Sequence, residues 1–236
     1  MNVKNVFICF ILVIITYYIL VLHRDHHLFP KVLRICKEKQ ERLKVILPII
    51  INKLDKYQIK HFIFSGTLLG YERHKKKFIP WDDDIDLVLI KTSDIHKKIK
   101  QINYEIASEF KIIKSFFGYK FVDEKNDVFI DLFIYEEKNN IIKTIYKKTL
   151  DSWPNEYFLT HETYPLRKGL FENIVVNIPN QIQPYLKRQY GNWEKEELTH
   201  SHYLNLFENA LIANIKYNHH NSLKKCYRSF HGDDDQ

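Results

Sequence analysis

Four carboxylates crowd one short run of the chain, PWDDDIDLVL, at Asp82, Asp83, Asp84 and Asp86. In a strand, side chains alternate between faces, so Asp84 and Asp86 project to one side about 7 Å apart while Ile85 and Leu87 point into a core. Two like charges held that close repel unless a cation lies between them, and hard carboxylate oxygens suit Mg2+ or Mn2+. The apolar strand that begins inside the run, and Trp81 before it, set it apart from an ordinary solvated acidic face. An EF-hand loop starting at Asp82 needs Gly at its sixth position and Glu at its twelfth. Leu87 and Ser93 stand there, which excludes it. The D-x-D of a sugar-nucleotide glycosyltransferase usually closes an apolar strand. Here the apolar LVLI follows the acids, and that enzyme class stays as the alternative.

A metal site for phosphoryl chemistry needs a third carboxylate and a cradle for phosphate. Asp131 in VFIDLFIY is an acid inside an otherwise apolar strand. A buried, unpaired carboxylate is costly, so it calls for a cation, a donor or a proton. As third ligand it completes a triad with Asp84 and Asp86 on adjacent strands, and an apolar setting favours its protonated form, making it the candidate general base. A salt bridge to a lysine is the competing explanation. The cradle is predicted at Ser65-Gly66-Thr67, where the strand HFIFS ends and the helix TLLGYERH begins. Backbone N–H groups at a helix N-terminus favour phosphate oxygens.

The elements that must position these groups follow from periodicity. Lys31 to Tyr57 is predicted helical, with apolar residues three and four apart (Val32, Ile35, Leu43, Ile46, Ile50, Leu54) and a kink or division at Pro48. A strand is expected from Asp84 to Ile90, and a helix from Thr92 to Phe110 capped by Thr92 or Ser93. Further strands are expected over Lys111–Phe117, Tyr119–Val122, Val128–Tyr135, Asn140–Tyr146 and Phe171–Ile178. A short helix in NQIQPYLKRQY and a last one over Tyr203–Tyr217 follow. Strands and helices mix without strict alternation, which predicts an α+β sheet domain and not a doubly wound one.

Composition narrows the class. A 45% hydrophobic and 28% charged chain of 236 residues is globular, which excludes a disordered or fibrous protein. The net charge is +7, but the lysines are spread throughout and form no basic face with interleaved aromatics, so no nucleic-acid partner is expected. Three cysteines without a C-x-x-C exclude a zinc ribbon and a disulfide-dense scaffold. Whether Cys36 and Cys226 pair is left open. The histidine pairs His26-His27, His200-x-His202 and His219-His220 find no second cluster to make a metal site. Val6 to Leu22 carries no charge and is just long enough to span a bilayer. YYILVLHRD offers no small residues for cleavage, so an uncleaved signal anchor is expected. Arg24, Lys31, Arg34 and Lys37 after it outnumber Lys4 before it, but charge counts orient long folded segments poorly. The division predicted is an anchor over 1–22, a helical stem over 23–58, a catalytic domain over 59–195, and a C-terminal helical extension with an acidic tail over 196–236.

At this point SGTLLGYERHKKKFIPWDDDIDLVL resembles the signature of the LicD/fukutin family. FIDLF around Asp131 resembles its second motif, and FENIVVNIP followed by PYLKRQYGNW its C-terminal one. The three occur in the family's order and cover most of Ile59 to Trp193. The resemblance implies a nucleotidyltransferase-like mixed sheet flanked by helices. It also implies transfer of a phosphorylated alcohol, of the phosphocholine or ribitol phosphate type, from a CDP-linked donor to a glycan or glycoconjugate acceptor. The family's metal ligands match Asp84, Asp86 and Asp131, and its phosphate turn matches Ser65 and Gly66, with Thr67 beside them. Its basic element matches Arg73 and His74, followed by Lys75, and its C-terminal motif carries over Arg188 and Tyr190. Two departures stand beside the donor site: Tyr71, where the family often has a small residue, and Lys76-Lys77, where a glycine usually follows. With the anchor, the resemblance implies a single-pass type II protein of the Golgi or ER membrane, its body in the lumen. The alternative from another class, a membrane-anchored scaffold without activity, is expected where a triad acid is lost; all three are present.

Overall fold

The computed structural model describes residues 3–195 and 205–208. The acidic tail, Cys226 and His200, His202, His219 and His220 lie outside the described residues, as does all but 205–208 of the last predicted helix. The chain divides into two compact units, and the described residues up to Lys37 belong to the first. It holds α1 (Val3–His23), a π-helical stretch (Arg24–Leu28) and the start of α2 (Phe29–Lys56). Most of the described side chains of α1 are apolar and exposed, Phe7 and Val13 among them. By length and composition this segment meets the requirement for crossing a membrane.

The second unit runs from Glu38 to Lys195. The boundary at Lys37 falls within the stretch expected as a stem over 23–58, and α2 from Glu38 onward lies in this second unit. Leu43, Ile46, Leu47, Ile50 and Leu54 of α2 are fully buried in that body's core. The helix also runs through Pro48 without interruption, against the division expected there. The apolar stripe it buries on both sides of Pro48 outweighs one lost backbone hydrogen bond.

The core is a mixed sheet in the order β1-β2-β5-β4-β3, with β6 and β7 continuing from β5. Its strands are β1 (His61–Ile63), β2 (Ile85–Ile90), β3 (Lys111–Ser115), β4 (Gly118–Asp123), β5 (Val128–Lys138), β6 (Ile141–Thr144) and β7 (Tyr157–Leu159). The pair that matters is β2 and β5, which run parallel with Ile85, Leu87 and Leu89 level with Ile130, Leu132 and Ile134. These six make one wholly apolar face, because alternate residues of a strand share a side. α3 (Ser65–Arg73) connects β1 to the loop before β2, and α4 (Ile95–Ile106) buries Ile95, Ile99, Ile102 and Ile106 at helical spacing. The expected cap at Thr92 or Ser93 is not the one used. The helix begins after Asp94, to which the Thr92 hydroxyl donates a hydrogen bond of 2.7 Å.

Two short helices, α5 (Lys147–Ser152) and α6 (Thr160–Thr163), flank β7, and α7 (Gln183–Tyr190) follows a separate hairpin. The strand expected over Phe171–Ile178 is that hairpin: β8 (Arg167–Phe171) turns at Glu172 and Asn173 into β9 (Ile174–Ile178). Both turn residues have positive φ, 50° and 64°, the geometry of a two-residue hairpin turn. Asn139 and Asn140 make the same turn between β5 and β6.

Candidate active site

The parallel register sets Asp86 level with Asp131, and the antiparallel register of β4 sets Lys120 level with Asp131. One row across three strands therefore reads carboxylate, carboxylate, ammonium. Asp84, one step before β2, joins from the same face. Carboxylate oxygens of Asp84, Asp86 and Asp131 all lie within 4.8 Å of one another, as do those of Asp82, Asp83 and Asp84. The three acids predicted as ligands are thus brought together, and the second group shares Asp84 with the first. Hard oxygen donors at this spacing fit Mg2+ or Mn2+.

The electrostatics point the same way. Desolvation pushes the Asp86 carboxyl well up from its ordinary range, reinforced first by Asp84 and then by Asp131. Asp82 is raised too, by desolvation and then by Asp84 and Asp83. Both shifts come from like charges held together out of water, the condition a divalent cation relieves. A raised carboxyl stabilises the fold at low pH and loses that contribution as pH rises through its folded value. We expect the rise in melting temperature produced by Mg2+ over EDTA to be small at pH 5 and to grow steadily toward pH 8. Thermal scans across that range check it, and a pH-independent rise would mean that the cation binds elsewhere.

The turn expected to cradle phosphate lies at the start of α3. Strand β1 ends at Ile63, Phe64 donates its amide to Asp86 O at 3.2 Å, and Ser65 turns the chain with φ of 49°. Gly66 then passes so close to the acids that a Cβ there would stand 3.0 Å from Asp82 Oδ2 and 3.7 Å from Asp86 Oδ2. Thr67 is buried, and its hydroxyl accepts the Asp86 amide at 2.8 Å, tying the helix start to the acidic strand. The Tyr190 hydroxyl lies 3.3 Å from Ser65 Oγ, which places Tyr190 at this corner.

Other predicted residues are placed differently. His74 is pushed down to about 3 by burial and then by Arg73, so the imidazole is neutral and adds no charge to the basic element. Arg73 Nη1 donates to the carbonyls of Trp193 at 3.1 Å and Lys195 at 3.0 Å. Lys75 is exposed in the turn after α3, with φ of 53°. Arg188 pairs with the buried Glu162 at 2.9 Å, donates to Tyr157 O at 3.0 Å, and lies over the Tyr157 ring. Those contacts hold α7 to α6 and β7. Asp131 has the lysine partner that stood as the competing explanation for it. Lys120 Nζ sits 2.6 Å from its Oδ1 and 3.7 Å from the centre of the Phe129 ring, which weakens the case for Asp131 as the base.

Several residues at this site carry no sequence signal. Lys120 is one of many lysines and is identified only by register. Gln40 donates from α2 to the carbonyls of Ile79 at 2.9 Å and Asp82 at 2.7 Å, fixing the loop that delivers the acids. Glu172, in the β8–β9 turn, accepts the Phe78 amide at 2.9 Å and braces the same loop.

Comparison with known proteins adds an independent line. Residues 58–181 match the family model of the LicD/FKTN/FKRP nucleotidyltransferase domain. An uncharacterised protein of Rickettsia typhi is 33% identical over 78% of this chain and 56% of its own length. The lipopolysaccharide cholinephosphotransferase LicD of Haemophilus influenzae is 31% identical over 39% of this chain and 41% of its own. The chain thus spans about half the length of the curated relatives named here. The solution structure of the antibiotic-resistance factor ANT(2'')-Ia superposes over 81% of this chain and 92% of its own, with a TM-score of 0.43 and 9% identity.

Proposed function

This chain belongs to the LicD/FKTN/FKRP nucleotidyltransferase family, and from that membership we propose that it transfers a phosphorylated alcohol from a CDP-linked donor to a glycan hydroxyl, releasing CMP. Phosphocholine and ribitol phosphate are the payloads proposed, with a glycan or glycoconjugate as acceptor. The observation that carries the proposal is the convergence of Asp84, Asp86 and Asp131 beside the turn at Ser65 and Gly66. Those three carboxylates would hold Mg2+ or Mn2+. Such a cation neutralises charge that develops on the leaving phosphate.

The protein's own groups do the rest. The first amides of α3 face the donor's diphosphate, and the close pass of Gly66 leaves room for phosphate oxygens against the acids. The acceptor oxygen attacks the phosphorus bonded to the transferred alcohol, in line with the bond to CMP, which breaks. The hydroxyl proton leaves to the carboxylate nearest the attacking oxygen. Lys120 adds a positive charge at the edge of the acid row. The exposed apolar helix α1 is proposed to anchor the catalytic unit to a membrane, where a glycoconjugate acceptor is held near the site.

The test is CMP release by the full chain in detergent, with CDP-choline or CDP-ribitol and mixed glycan acceptors. Turnover with one donor, dependent on Mg2+ or Mn2+ and lost in Asp84→Asn, is the expected result. Turnover with UDP- or GDP-sugars alone would move the assignment to a glycosyltransferase, and silence with every nucleotide would favour a scaffold.

A further inference from the structure

Behind the start of α3 lies an acid outside the proposed ligand set. Glu156 stands in the turn before β7 and is 5% exposed. Its carboxyl accepts hydrogen bonds from the Tyr185 hydroxyl at 3.3 Å and from Gln189 Nε2 at 3.5 Å, both on α7. Ser65 in turn donates its amide to the Tyr185 hydroxyl at 3.3 Å. The backbone of Glu156 is held as well, its carbonyl accepting from the Tyr135 hydroxyl at 3.3 Å and its amide donating to Trp153 O at 3.2 Å. Phe158, two residues on, stacks flat on Tyr185 with ring centres 4.1 Å apart. The side chain is therefore fixed by α7 and the backbone by its own neighbours, and through the Tyr185 hydroxyl the carboxyl reaches Ser65.

Ser65 needs such support. A non-glycine residue in the left-handed region costs on the order of 1–2 kcal/mol and persists where surrounding groups determine it.

We infer that Glu156 is a positioning residue for the donor's diphosphate, holding Ser65 in the left-handed turn that aims the first amides of α3 at the phosphates. The inference rests on the proposed CDP-dependent reaction, and it makes the Glu156–Tyr185–Ser65 network the support of the phosphate cradle.

The experiment is calorimetric binding of CDP in Mg2+ by the full chain in detergent. It compares wild type with Glu156→Ala, Glu156→Gln, Ser65→Ala and the Glu156→Ala/Ser65→Ala double variant. Glu156→Ala is expected to weaken CDP about tenfold, the size typical of a lost supporting contact. Glu156→Gln keeps an acceptor oxygen for the Tyr185 hydroxyl and is expected to restore most of the affinity. The double variant is expected to bind no worse than the weaker single one, since both act through one network. Additive losses would assign Glu156 a general structural role and overturn the inference, as would unchanged CDP affinity in Glu156→Ala. Should Glu156→Ala fail to fold, Tyr185→Phe carries the test, with the same tenfold loss expected and wild-type affinity overturning it. A wild-type chain that binds no CDP overturns the proposed donor and this inference with it. A wild type that binds beside an equal Glu156→Ala overturns the inference alone.

Discussion

Asp86→Asn is expected to remove Mg2+-supported turnover by a factor on the order of 10³ or more, and at the same time to raise the melting temperature of the metal-free protein. Both effects come from one fact. Asp86 lies in the parallel register with Asp131, with Asp84 on the same face, and desolvation and those neighbours make its charge costly. Asparagine keeps the shape, and the backbone bond from Asp86 N to Thr67 Oγ1 is untouched, so the strand should stay in place. What disappears is a buried charge that repels two others, worth about 1–2 kcal/mol in the absence of a cation. In a unit of this size that is a rise of roughly 2–8 °C. With Mg2+ present the order should reverse, because the wild type gains a bound ion and the variant loses a ligand. Thermal scans in EDTA and in Mg2+, beside CMP release, read all three. A variant that is both less stable without metal and still active would refute the assignment of this row as the cation site.

The acid row was legible because its signal is local. Alternation puts Asp84 and Asp86 on one side, and their apolar neighbours make a solvated face implausible. Asp131 stands out for the same reason, a charge amid Phe129, Ile130, Leu132 and Phe133. Position in the fold is a different kind of information. Lys120 reaches Asp131 because β4 pairs with β5 in one register and not its neighbour, and a slip of one residue would send it to the opposite face. Gln40 meets the loop at Ile79 and Asp82 across a long stretch of chain, and Glu156 sits in SWPNEYF, a stretch with no periodicity. Arg188 shows the converse. Its place in a matching motif pointed to the donor, but the buried carboxylate of Glu162 takes its guanidinium. The β8–β9 hairpin was hidden because Glu172 and Asn173 lack the Asn-Gly or Asp-Gly that usually announces such a turn. A sheet domain that is not doubly wound was anticipated from strands and helices that do not alternate strictly, and its mixed sheet from the family resemblance.

Gly118→Ala should be among the most destabilising single substitutions in the catalytic unit. Gly118 opens β4 with φ of 144°, a conformation side chains rarely adopt, and a Cβ there would stand 2.4 Å from Leu132 O and 3.1 Å from Ile134 N. Both obstacles are backbone atoms of β5, the strand that carries Asp131, so neither can swing aside like a side chain. Relief requires β4 to move off β5, and the same ladder aligns Gly118 with Phe133 and Lys120 with Asp131. Strain and overlap together amount to roughly 3–5 kcal/mol. The melting temperature should fall by about 10 °C or more. Gly191→Ala separates the two causes. Gly191 also has positive φ, 62°, but nothing lies within 4 Å of its missing Cβ. That variant should lose only the conformational part, about 1–2 kcal/mol. Equal losses in the two variants would mean that the backbone conformation alone sets the penalty. A much larger loss at Gly118 would show that the close approach of β4 to β5 sets most of the penalty.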